Sequence, residues 1–451
     1  MTNEKSIADL PLLIDTLAEP EREVFNRVFR VDAVEGRIVP PDSMRPWIER
    51  HFGAVEPTLS QRIVRVTNLV THRGALFNSL RSRRPHSFVD ETALEAELTA
   101  GSEDPFAEPE REVFNRVFRV DAVEGRIVPP DSMRPWIERH FGAVEPTLSQ
   151  RIVRVTNLVT CRGALFNALR SRRPHSFVDE TALEAELTAG SEDPFAEPLV
   201  ETPADVFGRI ESTHCITGAN VAKFDGFHSL VIFKEHSPLR FDREMLRDYF
   251  DTGLRWAQAA HGVDPAAKYY LFMWNCLWRA GASLVHGHAQ VLLGRGAHYP
   301  AVEGLRRAAR DYHARHNADY FDDLYRAHAA VGCAFEKDGV RVLANLAPVK
   351  EHEVLLIAPQ LNDSLKDRTY EALACLRDRL GVASFNLALY LPPIAPVEED
   401  WRGFPAIVHI VDRGDLAART SDIGAMELYA ASVIAGDPLQ LARLLRDTLC
   451  A

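Results

Sequence analysis

The chain has 451 residues, 46% hydrophobic and 26% charged, which is enough for two or three globular domains. A formal net charge of −12 argues against a general nucleic-acid-binding protein. No apolar run reaches membrane-spanning length and the first residues lack a signal-peptide pattern, so we expect a cytoplasmic protein with no membrane partner. The six cysteines are widely spread without a Cys-x-x-Cys pair, which indicates reduced thiols and no zinc-ribbon pattern.

The N-terminal part contains a near-identical tandem duplication. After a leader, residues 1–17, copy one (residues 18–106) recurs as copy two (residues 107–195). The copies differ at two positions, His72 against Cys161 and Ser79 against Ala168. A solenoid needs at least three units to be stable, so two such copies indicate a duplication of one module.

The two copies have only one downstream core to pack on. We expect copy two, which is contiguous with residue 196, to pack on that core and copy one to be a loosely docked satellite. Deleting residues 18–106 should then leave an active protein. Exchange of one copy between two chains would join them into an oligomer, and a homodimer is one of the expected states.

Each copy is predicted to form two helices, a strand and a basic loop. Val24, Val28 and Phe29 lie on one face of the first helix, and the strand is the alternating segment 61–67. In copy two the loop places three arginines in four positions before a proline: Arg170, Arg172 and Arg173. One guanidinium group can donate two parallel hydrogen bonds to the oxygens of a phosphate, so the loop is a candidate phosphate clamp. A solvated basic loop is the alternative.

From residue 196 the pattern becomes that of an α+β protein. Two strand–helix–strand series are predicted, residues 196–330 and 331–451, and the second resembles the first as a diverged repeat would. The predicted strands are 212–221, 229–234, 268–275, 282–291, 340–344, 353–358, 385–390 and 406–411, and the predicted helices are 242–261, 301–330, 362–380 and 437–449. We therefore predict two diverged antiparallel-sheet halves with flanking helices.

The strand predicted at 282–291 carries the chemistry. Alternation along a strand would project His286, His288 and Gln290 from one face. A neutral His288 could attack an α-phosphorus and hold the nucleotide covalently, while the Gln290 amide stabilises the transferred group. His286 could orient the site or bind a metal. Because His-x-His is a short pattern, ordinary interior histidines are the alternative.

This segment resembles the histidine-triad superfamily, and within it the galactose-1-phosphate uridylyltransferases, whose motif is His-Pro-His-Pro/Gly-Gln. Here the motif is His286-Gly287-His288-Ala289-Gln290. The resemblance implies a histidine-triad-like fold and adds six candidate substrate-binding residues: Asn275, Ser283, Asn220, Arg170, Arg173 and Glu427. Of these, Asn220 resembles a uridine contact, the arginines the nucleotide site, and Glu427 the sugar site.

The resemblance also implies a structural zinc, held in the family by a Cys-x-x-Cys pair and two histidines. His236 and His286 match the histidines, but residues 192–195 contain no cysteine. For a second metal site only Glu303 and His409 are candidates, with other ligands absent. We therefore predict no tightly held metal. We expect His236 and His286 to order a loop through hydrogen bonds.

The resemblance implies transfer of UMP between UDP-glucose and a hexose 1-phosphate, with nucleotide-sugar and sugar phosphate as partners. Two alternatives stay open. One is a dinucleotide or nucleotide-sugar phosphorylase with an adenylyl or guanylyl intermediate. The other is a non-catalytic nucleotide-binding relative.

Overall fold

The computed structural model describes residues 6–37, 46, 49, 54–56, 60–77, 118–141, 143–157, 163–166, 193–221, 223–416 and 423–450. The strands are β1 (Phe29–Arg37), β2 (Ser60–Asn68), β3 (Gly74–Phe77), β4 (Phe118–Arg126), β5 (Ser149–Asn157), β6 (Gly163–Phe166), β7 (Cys215–Ala219), β8 (Phe227–Phe233), β9 (Ala267–Asn275), β10 (His288–Arg295), β11 (Ala334–Lys337), β12 (Val340–Ala344), β13 (Val354–Ala358), β14 (Phe385–Tyr390), β15 (Ala406–Asp412) and β16 (Ala431–Ile434). The α-helices are α1 (Leu10–Asp15), α2 (Glu19–Val28), α3 (Arg134–Phe141), α4 (Glu145–Leu148), α5 (Pro198–Glu201), α6 (Arg243–Val263), α7 (Pro300–His316), α8 (Tyr320–Ala330), α9 (Asp363–Leu380) and α10 (Pro438–Leu449). Among these helices, none combines the length and apolar character needed to cross a membrane.

A nine-stranded antiparallel sheet organises the part of the chain after residue 196. Its strand order is β11-β12-β13-β15-β14-β9-β10-β8-β7. The two predicted halves therefore form one continuous sheet, joined where β9 pairs with β14 and Asn275 lies opposite Asn386. The mixed α and β composition with antiparallel pairing agrees with the sequence prediction.

Helices α6 and α9 cover one face of this sheet. Each begins at a side-chain cap: Asp242 accepts from the Met245 N–H at 2.8 Å and Asn362 from the Leu365 N–H at 2.9 Å. Beneath them, Trp256 and Trp274 are fully buried in the main hydrophobic core. This face is closed by packing, so functional side chains can lie only on the opposite face or at the strand ends.

The predicted helix 301–330 is two helices. The chain turns at Asn317, whose φ of +50° ends α7 in the left-handed conformation that asparagine tolerates. Asp319 then caps α8 by accepting from the Asp322 N–H at 2.9 Å. The break lets α8 fold back towards α2 of copy one.

Copy one is integrated into the fold. Strands β1, β2 and β3 form a meander, and β16 from the C-terminal part pairs parallel with β3. Phe25 and Val28 of α2 are buried in a core shared with α8, and Leu10 of the leader joins them. The expectation of a loosely docked satellite is therefore wrong for the described part of copy one. Phe29 was assigned to the first helix but begins β1, since β1 pairs with β2 from Phe29 onwards.

Copy two forms its own three-stranded sheet, β4-β5-β6, with the same pairing as in copy one. It contacts the first half of the large sheet. The Gln150 amide donates to the Val221 carbonyl at 2.6 Å, and Val128 and Ala204 exchange backbone hydrogen bonds of 3.0 Å. Both copies thus contact the downstream protein, copy two beside β8 and copy one beside β16.

Candidate active site

The loop that leads into β10 places His286 and His288 in different environments. We predicted a strand from residue 282, but the strand begins at His288, so His286 does not share a strand face with His288 and Gln290. The reason lies in Gly287, whose N–H donates to the His236 carbonyl at 2.8 Å instead of joining a strand ladder. A Cβ at this glycine would lie 2.5 Å from the Phe233 ring, so only glycine fits.

His288 is held in one tautomer. Its Nδ1 lies 2.9 Å from the His286 carbonyl oxygen, and a carbonyl can only accept, so Nδ1 carries the proton. The neutral ring therefore has its lone pair on Nε2, the nitrogen required for attack on phosphorus. Phe195 packs edge-on against the ring with centroids 5.2 Å apart. A buried, oriented imidazole of this kind can act as a nucleophile.

Gln290 lies on the same face of β10 as His288, with its carbonyl end bound. Gln290 Oε1 is 3.0 Å from Nε2 of His228, a fully buried histidine on β8. Asn220 lies beside the same nitrogen at 3.3 Å, which brings this predicted binding residue next to the motif. The structure therefore assembles Asn220, His228 and Gln290 into one polar chain.

An apolar cluster surrounds these polar groups on the open face of the sheet. It consists of Phe195, Ile216, Leu230 and Ile232. Strand pairing places Leu230 opposite Gln290 and Ile232 opposite His288. The apolar walls lower the local dielectric and strengthen hydrogen bonds formed inside the site.

Asn275 lies at the end of β9 on this same face, since Gln290 pairs with Met273 and side chains alternate along a strand. Its Oδ1 accepts from the Asn386 amide at 2.8 Å, and the guanidinium of Arg413 donates to Asn386 Oδ1. Asn275 is thus brought close to the motif and is fixed from the second half of the sheet.

The remaining predicted residues are less closely connected. Ser283 lies in the loop that carries His286. Glu427 lies next to β16, where it accepts from Lys350 Nζ at 2.9 Å and from the Gly424 N–H at 2.8 Å. Arg170 and Arg173 lie outside the described residues.

Asp193, His236 and His286 form a cluster that fits a metal ion. His236 Nδ1 is 3.2 Å from His286 Nδ1 and 3.1 Å from Asp193 Oδ2. Donor atoms around a tetrahedral zinc lie roughly 3.3 Å apart, because each bond is roughly 2 Å long. His286 Nε2 lies 2.8 Å from the Phe233 carbonyl, so Nε2 carries the proton and Nδ1 is the ligating nitrogen. These three side chains could therefore supply three ligands to one metal ion.

The carboxylate of Asp193 is ionised in this cluster. Burial opposes its ionisation, but without a metal ion on Nδ1 the hydrogen bond and charge of a protonated His286 lower the pKa of Asp193 below its usual value. A cation held here would fix the loop before β10 against residues 193–195, and so would supply order to the site.

Glu303 and His409 do not belong to a metal cluster among the described residues. Glu303 accepts from Arg306 and from Arg307, each at 2.7 Å. These contacts lower the pKa of Glu303, although burial opposes the shift. His409 lies 2.8 Å from the buried Glu353. Glu303 is thus used in an ion pair with two arginines, and His409 lies beside the carboxylate of Glu353.

Sequence reasoning missed His228, Phe195 and the place of Asp193 beside His236 and His286. His228 lies in β8, one residue before the start predicted for that strand. Its contact partner Gln290 is 62 residues away in the sequence. The signal that could have found it is a polar pair, His228-Ser229, leading into a continuously apolar strand. Asp193 was noted only for the lack of cysteines around it.

No protein-family model matches the chain, and no curated protein sequence matches it. Three of the solved structures to which the chain is similar are the following, each with a TM-score under 0.5. An ADP-glucose phosphorylase from Arabidopsis thaliana with bound ADP-glucose is 18% identical with a TM-score of 0.47, over 64% of this chain and 96% of that one. A uridylyltransferase is 14% identical with a TM-score of 0.48, over 65% and 98%. A yeast Ap4A phosphorylase in complex with Ap4A is 13% identical with a TM-score of 0.32, over 71% and 98%. At these values the similarity assigns no activity to this chain.

Proposed function

We propose that the protein is a nucleotidyltransferase that moves UMP between UDP-glucose and a hexose 1-phosphate through a nucleotidyl-His288 intermediate. The observation that carries the proposal is the His288 tautomer. Its Nδ1 proton is bound to the His286 carbonyl, which leaves the lone pair on Nε2.

The first half-reaction forms one bond and breaks one bond. His288 Nε2 attacks the α-phosphorus, the bond from that phosphorus to the bridging oxygen breaks, and the sugar 1-phosphate leaves with the bond's electrons. The imidazole becomes positively charged when phosphorus binds Nε2. The His286 carbonyl stabilises this charge, because its oxygen accepts from Nδ1 at 2.9 Å.

The second half-reaction reverses the first with a different acceptor. A phosphate oxygen of the incoming hexose 1-phosphate attacks the nucleotidyl phosphorus, and His288 leaves as the neutral imidazole. Gln290 donates its amide N–H groups to the phosphoryl oxygens in both steps. A neutral amide supplies hydrogen bonds without a proton that could assist hydrolysis.

The other binding roles follow from position and remain part of the proposal. Asn275 and Ser283 lie around the motif and would contact phosphate, and Asn220 lies at the end of β7, where a base or ribose would enter. Arg170 and Arg173 are proposed as the phosphate clamp and Glu427 as the sugar contact. These three are proposed from the resemblance alone.

Two alternatives differ in substrate or in turnover. A phosphorylase would form an adenylyl or guanylyl intermediate from a dinucleotide or nucleotide-sugar and would use inorganic phosphate as acceptor. A non-catalytic relative would bind a nucleotide-sugar without forming any covalent intermediate. The geometry of His288 is compatible with both alternatives as well as with the main proposal, so substrate experiments must separate them.

Covalent labelling tests the proposal. The protein is incubated with UDP-glucose labelled at the α-phosphate, denatured, and assayed for protein-bound, acid-labile label. We expect label on the wild type and none on His288→Gly. His313→Ala, at a histidine on the exposed side of α7, is the matched control and should label normally.

Substrate exchange separates the alternatives. Label from UDP-glucose that hexose 1-phosphate discharges supports uridylyl transfer. Label only from ADP-glucose or a diadenosine polyphosphate, discharged by inorganic phosphate, supports the phosphorylase. Binding of all these nucleotides without label on His288 would contradict both enzymatic readings.

A further inference from the structure

We propose that His228 is a positioning residue that fixes the direction of the Gln290 amide towards the transferred phosphoryl group. This inference rests on the proposed function for its catalytic consequence. Its structural basis is a set of hydrogen bonds within β8, the loop before it and β10.

The tautomer of His228 follows from its neighbours. Its Nδ1 lies 2.8 Å from the backbone nitrogen of Phe224, and a backbone N–H can only donate. Nδ1 is therefore the acceptor, and the neutral ring carries its proton on Nε2. The Phe224 ring stacks on the imidazole, with centroids 4.4 Å apart and an interplanar angle of 12°. The ring of His228 is thereby fixed in both orientation and tautomer.

This tautomer determines which end of the Gln290 amide faces β8. The Nε2 proton of His228 must meet an acceptor, and Gln290 Oε1 lies 3.0 Å away. With the amide reversed, an NH₂ group would face the N–H of His228, and both donors would lose a bond. The Asn220 contact at this nitrogen is made by Nδ2 at 3.3 Å, and an amide nitrogen can only donate, so the acceptor for the Nε2 proton is Gln290 Oε1.

Strand register gives the direction of the other end. β8 and β10 pair so that His228 is opposite Leu292 while Ile232 is opposite His288. Gln290 therefore lies between His228 and His288 along one face. Because its oxygen is held on the His228 side, its nitrogen is directed to the His288 side. This nitrogen has no hydrogen-bond partner among the described residues.

The support beneath His228 is rigid and buried. The Lys223 ammonium, which is fully buried, donates to the His228 carbonyl at 2.8 Å and lies 3.6 Å from Asp205. Asp205 in turn accepts from Ser229 and from the Trp256 indole at 2.8 Å. A donor fixed in this way before substrate binds costs no reorganisation during the reaction.

The test compares four variants by the rate of label transfer from UDP-glucose to His288. His228→Leu removes both hydrogen-bonding nitrogens at similar volume, and we expect the rate to fall roughly a hundredfold while the Kd for UDP-glucose stays within a few-fold. His228→Gln restores an N–H donor near the Nε2 position and should recover most of the rate. In His228→Leu/Gln290→Ala, the loss should equal that of Gln290→Ala alone, since His228 acts only through Gln290.

Several results would overturn the inference. A His228→Leu protein that labels at the wild-type rate would do so, as would additive losses in the double variant. If His228→Leu does not fold, the tautomer of His228 in the wild type still tests the hydrogen bond to Gln290. The ¹⁵N resonances of His228 give a readout independent of activity: we expect a neutral Nε2–H tautomer, and an Nδ1–H tautomer would contradict the proposal. If the wild type forms no label, the proposed function fails, while the tautomer measurement still tests the hydrogen bond.

Discussion

Gly287 offers a sharp test of how the motif is built, because a single methyl group should disturb it. In Gly287→Ala the new Cβ would lie 2.5 Å from Phe233 Cδ2, about 0.9 Å short of the 3.4 Å at which ordinary contact begins. The Phe233 ring cannot easily yield, since it stacks on Tyr249 at 3.7 Å and packs edge-on against Trp274 at 5.0 Å. The loop itself must therefore move.

The size of that movement gives two expected effects. Overpacking of a buried site costs about 1–3 kcal/mol in the free energy of unfolding. A displacement near 1 Å of a reacting group costs roughly a hundredfold in rate, so label transfer to His288 should fall by that factor although His288 is intact. Urea unfolding measures the first effect and labelling with UDP-glucose measures the second.

Gly262→Ala is the matched control, because a Cβ there meets no atom within 4 Å and the residue lies in α6. This variant should be as stable as the wild type or more stable by up to about 1 kcal/mol. A Gly287→Ala protein with wild-type stability and labelling rate would refute the packing argument for the loop.

Three further predictions concern acid stability, metal binding and copy one. Burial lowers the pKa of His328 to about 4, so between about pH 6.5 and pH 4 the unfolded chain binds more protons than the folded one. The free energy of unfolding should fall over this window as the pH drops, by roughly 3 kcal/mol, and urea titrations of His328→Gln should show a weaker dependence. Zinc should raise the melting temperature of the wild type, and dialysis against a chelator should reverse the rise. The melting temperature of Asp193→Ala should not change with zinc, because this variant has lost one of the three ligands. Equal shifts in both proteins would exclude this cluster as the zinc site. Phe25→Ala should cost about 3–5 kcal/mol in urea unfolding because Phe25 is fully buried against α8, and an unchanged midpoint would contradict the docking of copy one.

Much of the fold after residue 196 was predictable because its patterns are local. The predicted helix 242–261 is observed as α6 and 362–380 as α9, since amphipathic spacing, an Asp or Asn cap and a terminal Gly381 mark their limits. The apolar strands 340–344 and 385–390 are observed at those positions. Sequence could not show that the two halves share one sheet, because the β9–β14 pairing joins residues more than a hundred positions apart.

The errors arose where a non-local contact overrides a local pattern. Phe29 continues the apolar spacing of a helix, yet the partner strand β2 draws it into β1. His286 continues the alternation of a strand, yet the Gly287 N–H bonds to the His236 carbonyl and ends the ladder. The proposed role of Gln290 came from the motif, but the contact between Gln290 and His228 could not be predicted, because His228 lies on another strand.

The parallel pairing of β3 with β16 has a kinetic consequence. Ala431–Ile434 lies near the end of the chain, yet its partner Gly74–Phe77 precedes it by more than 350 residues. An identical segment, Gly163–Phe166, is presented by copy two, so refolding chains can pair the last strand with the wrong twin. The leader occurs once, and the Ile7 N–H bonds to Asp437 at 2.9 Å next to the last helix. These unduplicated residues therefore favour the pairing of β16 with β3 over pairing with Gly163–Phe166, and we expect a chain without them to refold heterogeneously.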